Sequence, residues 1–92
     1  MSDSIKETLD SRKSAHGCFW ESSNTCATLK KTMQSAQNWP FMEPAKQRAL
    51  EMVMEKVTRI LYGDHNFVDH WHDIAGYVSL IENYITTGNE RG

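Results

Sequence analysis

Glu51 and Glu55 lie four residues apart, and so do Asp69 and Asp73. On helices, each pair sits on one face with one carboxylate a turn above the other. Magnesium takes hard oxygen ligands and often uses a few carboxylates plus water and substrate phosphates. Two such pairs on neighbouring helices would supply that kind of site, so Glu51, Glu55, Asp69 and Asp73 are the candidate metal ligands. Lys56 and Arg59 are three apart and share a helix face, from which they would meet the phosphates of an anionic ligand. Trp71 and Tyr77 flank Asp73 and would stack a nucleobase, although Trp71 is by default a core residue. The competing reading makes the same acids a solvated face, with Glu51 and Glu55 in reach of Arg48, Lys56 or Arg59 as local ion pairs.

Other chemistry is weakly represented. His65, His70 and His72 crowd one segment, but His70 and His72 are two apart and point different ways on a helix. There is no HExxH motif, and Ser22, Ser23 and Ser79 have no triad context. Cys18 and Cys26 are eight apart, about 12 Å along a helix axis, too far for a disulfide. They read as reduced thiols serving as small hydrophobes; a zinc site with His16 matches no CxxC spacing.

Four helical segments position these residues. The first is expected over 3–15, short and peripheral, with Ile5 and Leu9 as its apolar anchors and a stop at His16-Gly17. The second is expected over 19–37, with Phe19, Cys26, Leu29, Met33 and Ala36 as a narrow stripe. Trp39-Pro40-Phe41-Met42-Glu43-Pro44 breaks the pattern, because two prolines forbid a continuous helix. Its apolar residues are expected to plug one end of a bundle. The third helix runs 44–62, opening on Pro44 and stopping at Gly63, with Ala49, Val53, Val57, Ile60 and Leu61 as its stripe. Asp64-His65-Asn66 is turn material. The fourth runs 68–87, with a main stripe of Trp71, Ile74, Ala75, Val78, Ile81 and Ile85 and a second face of Tyr77, Leu80 and Tyr84. On these wheels both acidic pairs fall off the main stripes, so a metal site would occupy a second face or a subunit interface. Nothing alternates with period two, and no strands are expected.

The result is a single all-α domain, a four-helix bundle over 1–92. At 92 residues a chain buries a modest share of its surface, which makes a homo-oligomer the natural expectation. The net charge of -2 and pI near 6.0 give no basic footprint, so nucleic acid is not a favoured partner. No apolar run reaches the ~20 residues needed to cross a membrane, and the first residues lack an apolar signal core. A cytoplasmic location is expected.

Several residues carry a resemblance. They are His16-Gly17-x-Phe19, Leu29-Lys30, Asn38-Trp39, Ala49-Leu50-Glu51-Met52, Lys56, Arg59-Ile60-Leu61, Gly63-Asp64 and Asp69-x-Trp71-x-Asp73-Ile74-Ala75-Gly76-Tyr77. Over about residues 5 to 85 the chain resembles a family of small bacteriophage and prophage proteins with a domain of unknown function. That resemblance implies a host-cell cytoplasmic setting and no particular activity. The chain is also remotely similar to the MazG-like all-α nucleoside triphosphate pyrophosphohydrolases. There, Glu51 and Asp73 would be counterparts of magnesium ligands, with Glu55 and Asp69 as their partners. Metal-assisted attack of water would release pyrophosphate, with Lys56 and Arg59 neutralising phosphate charge. The spacing departs, since Glu-x-x-x-Glu and Asp-x-x-x-Asp stand where that family has Glu-x-x-Glu and Glu-x-x-Asp. Two functions therefore compete: a magnesium-dependent nucleotide-binding or hydrolysing protein, and a non-catalytic helical interaction protein acting on a phage or host partner.

Overall fold

Pro44 and the glycines at 63 and 88 punctuate the chain where their chemistry requires. The computed structural model describes residues 18–88. Helix α1 spans Phe19–Gln34, a short 3-10 helix spans Trp39–Phe41, α2 spans Pro44–Tyr62 and α3 spans Val68–Thr87. Among the described residues the protein is all-α and without strands. The helix expected over 3–15, its stop at Gly17 and the His16 of the zinc alternative lie outside the described residues. Among the described residues, three of the four expected helices are present.

Helices α2 and α3 keep the boundaries their sequences predict. Pro44 is the first residue of α2, where its missing N–H costs nothing. The Gly63 N–H closes α2 on the Arg59 carbonyl at 2.8 Å. Gly88 ends α3 in the left-handed conformation at φ 71, which a side chain would disfavour. Helix α1 stops three residues before the expected Gln37. Ser35 N–H reaches both the Lys31 and Thr32 carbonyls, and its hydroxyl donates to the Thr32 carbonyl at 2.6 Å. The last turn tightens to 3-10 spacing and cannot continue.

Helix α2 is the centre of the fold: α1 and α3 each pack on it, with no comparable contact between them. Polar side chains fix both seams. Lys30 reaches Glu55 at 3.2 Å, Gln34 donates to Glu51 at 3.0 Å, and the Thr25 and Tyr62 hydroxyls share a hydrogen bond between α1 and α2. Lys56 meets Asp73 at 2.9 Å between α2 and α3. Gln47 donates to the Trp39 carbonyl at 2.7 Å and ties the 3-10 helix to α2.

Little is fully enclosed. Among the described residues only Ala49, Thr58 and His70 are buried. The apolar residues from 39 to 42 do not all plug an end, because Phe41 is 83% exposed. On α1, Phe19 is exposed rather than the start of a buried stripe. The larger departure is on α3. Trp71, Val78 and Ile85, expected in its main stripe, are exposed, while Ile74, Tyr77, Ile81 and Tyr84 are half-buried. Those four recur at 74, 77, 81 and 84, in the same register as buried His70. The core therefore combines Ile74 and Ile81 of the expected main stripe with Tyr77 and Tyr84 of the expected second face.

Candidate functional site

The acidic quartet separates between two seams. At about 100° per residue, Glu51 and Glu55 stand on the side of α2 that meets α1, and their carboxylates go to Gln34 and Lys30. Asp73 stands on α3 facing α2, where the side chain of Lys56 is 13% exposed. The Lys56 ammonium donates to the Asp73 carboxylate and holds its pKa below the ordinary 3.8; partial desolvation works the other way, and His72 and His70 add smaller lowering contributions. Asp69 lies exposed in the first turn of α3, where a negative charge complements the helix dipole. Among the described residues, no three His, Cys, Asp or Glu side chains gather in the way a metal ion requires.

The remaining candidates also have definite places. Lys56 is committed to Asp73. Arg59 stands one turn further along α2 and half-buried. Tyr77 lines the groove between α2 and α3. Trp71 is 53% exposed rather than in the core. Its indole N–H donates to the His65 carbonyl at 2.8 Å and braces the α2–α3 turn. The Asp64 side chain accepts from the Asn66 N–H at 2.9 Å in the same turn, as expected of an Asx turn. Cys18 and Cys26 are both free thiols.

Sequence reasoning named His70 among the clustered histidines but not as a core residue, and did not single out Thr58. His70 is 1% exposed and meets the Phe67 ring edge-on, centroids 4.8 Å apart. Thr58 is 2% exposed and donates to the Met54 carbonyl at 2.7 Å. The signal for His70 was available as phase: it shares the 74, 77, 81 register.

The concave surfaces are apolar. One groove of about 450 Å³ includes Met42, Leu50, Val78, Ile81 and Ile85 in its lining. A second, of about 640 Å³, lies on the other flank of the α2–α3 pair and includes Met52, Tyr77, Leu80 and Tyr84. Both are grooves along helices, which suit side chains of another helix.

Comparison with protein-family models, curated proteins and solved structures finds no match for this chain. Among the described residues, no helix is long and apolar enough to cross a membrane.

Proposed function

We propose that this protein is a non-catalytic helical interaction protein that works as a self-associated unit. The observation carrying this reading is the open apolar face of the three-helix layer. With α1 and α3 on opposite sides of α2, the edge of α2 between them carries half-buried Leu50, Met54 and Val57 and exposed Leu61. Exposed Val78 and Ile85 of α3 border it, and Met42 with Leu50 forms the groove wall opposite them. Among the described residues no helix covers this side, and one layer of helices with an apolar face is half of a two-layer domain.

A second copy supplies a matching half, because a twofold interface needs only a self-complementary patch. The dimensions agree. The 20 residues of α3 span about 30 Å, and helices pack roughly 10 Å apart. The α2–α3 face is then roughly 600 Å², close to the ~800 Å² per partner of a standard interface. From Ile74 to Gly88, Glu82 is the only charged residue, so little desolvation opposes burial. The acids support the same reading: three of the four are engaged in the seams between helices.

Sedimentation equilibrium tests this reading. The expected result is a dimer or larger species that becomes monomeric and stays helical in Val78→Asp. Melting with magnesium and a nucleoside triphosphate panel supplies the counter-test. A midpoint rise that needs both metal and nucleotide and disappears in Asp73→Asn would overturn the non-catalytic reading in favour of a metal–nucleotide site.

A further inference from the structure

Helix α1 is held on α2 by polar groups. Three side-chain bonds cross the seam: Thr25 with Tyr62, Lys30 with Glu55 and Gln34 with Glu51. Thr58 falls on the same stripe of α2 as Glu51, Glu55 and Tyr62. It is 2% exposed, so it lies beneath α1, and its hydroxyl turns back to the Met54 carbonyl rather than across the seam. The side of α2 that α1 covers is therefore a polar stripe. No residue of α1 itself is buried, and its apolar Cys26, Leu29 and Met33 are only half-buried.

The α2–α3 hairpin is closed by other means. His70 is enclosed on the inner side of α3, Lys56 meets Asp73 across the seam, and the Trp71 indole braces the turn on the His65 carbonyl. None of these contacts involves α1. The connection between arm and hairpin also has a definite pivot. Helix α1 ends in a 3-10 turn at Ser35, whereas the bond from Gln47 to the Trp39 carbonyl fastens the following 3-10 helix to α2. Residues 35–38 lie between these two points and form no regular helix.

We propose that α1 is a hinged arm, which swings from α2 about residues 35–38 while the α2–α3 hairpin keeps its fold. Segments with few enclosed apolar contacts open at lower free energy than the rest of a domain. The charged and hydroxyl groups of the seam regain water when it parts, so each bond contributes little to keeping it shut. Opening bares Glu51, Glu55, Thr58 and Tyr62 together, a surface of α2 that the closed arm withholds. The self-association face lies on a different side of α2, at Leu50, Met54, Val57 and Leu61, so the arm and the dimer fail separately.

Native-state hydrogen exchange on the full chain tests the arm. Once detached, a helix of 16 residues is marginal in water, so its amides exchange from the open state. The best-protected amides of α1 are expected to show protection about tenfold or more below those of α2 and α3, with a weaker dependence on urea because less surface is exposed. Lys30→Glu sets a like charge beside Glu55 in the closed state and should speed the α1 amides about fivefold. Asp73→Asn removes a contact that persists in the open state, so it should speed the slowest α2 and α3 amides and leave those of α1 unchanged. A thiol at position 58 reads the same opening from the α2 side. In a chain carrying Thr58→Cys with Cys18→Ser and Cys26→Ser, a thiol reagent should reach it before the hairpin unfolds. Protection of the α1 amides equal to that of α2 and α3, a response of α1 to Asp73→Asn as large as that of the hairpin, or a thiol that reacts only on global unfolding overturns the proposal.

Discussion

Burial separates the three histidines of the segment 65–72. His65 and His72 are exposed, and His70 is enclosed on the inner side of α3. The imidazole fills a site that an aliphatic side chain would otherwise fill, with the Phe67 ring against it. Truncation of buried side chains of this size destabilises by about 2–5 kcal/mol, a large part of the roughly 5–15 kcal/mol that holds a small domain. His70→Ala is expected to lose at least 2 kcal/mol in a urea titration, while His72→Ala stays near wild type. The Asp73–Lys56 pair gives a pH signature of known sign. The folded-state pKa of Asp73 is lowered, chiefly by the Lys56 ammonium. Its contribution is therefore present above the ordinary carboxylate value of 3.8 and is lost as pH falls through the lower folded value. Melting of wild type and Asp73→Asn across pH is expected to show a modest gap near neutrality that closes below 3.8. A gap that widened on acidification would contradict the pairing.

Helix boundaries were legible because single residues decide them. Pro44 opens α2, Gly63 and Gly88 close α2 and α3, and each acts through its own backbone rather than through distant contacts. The choice of face was not legible on α3. The expected main stripe, 71, 74, 75, 78, 81 and 85, and the second face, 77, 80 and 84, adjoin and are both apolar, so the pattern does not fix where the buried line falls between them. Packing on α2 draws it through 74, 77, 81 and 84, which brings His70 inward and sets Asp73 against Lys56. The candidate site shared this ambiguity: spacing placed each acidic pair on one helix face but left open the partners across the seams. Lys30 and Gln34 decide that, and both lie on a helix whose own stripe is narrow. Gly76 offers a test at this scale. It sits in mid-helix with open space around it, and a helical glycine is about 1 kcal/mol less favourable than alanine. Gly76→Ala should raise stability by up to about 1 kcal/mol in a urea titration. A loss would mean that the open space is filled when the protein is assembled.

At the scale of the molecule, the deciding quantity is how little the described residues enclose. Three buried residues among the 71 described, 18 to 88, make a thin core for a domain that must offset the ordering of its backbone. The apolar side chains exist but face outward, on α3 above all. Association is the physical remedy, and it makes stability depend on chain concentration. For a dimer that unfolds to two chains, each tenfold rise in concentration adds about 1.4 kcal/mol to the apparent stability. The midpoint of urea unfolding should therefore climb as the protein is concentrated, and Val78→Asp should flatten that slope by putting a charge at the apolar border of the face. A midpoint independent of concentration in the wild-type chain would overturn self-association through this face.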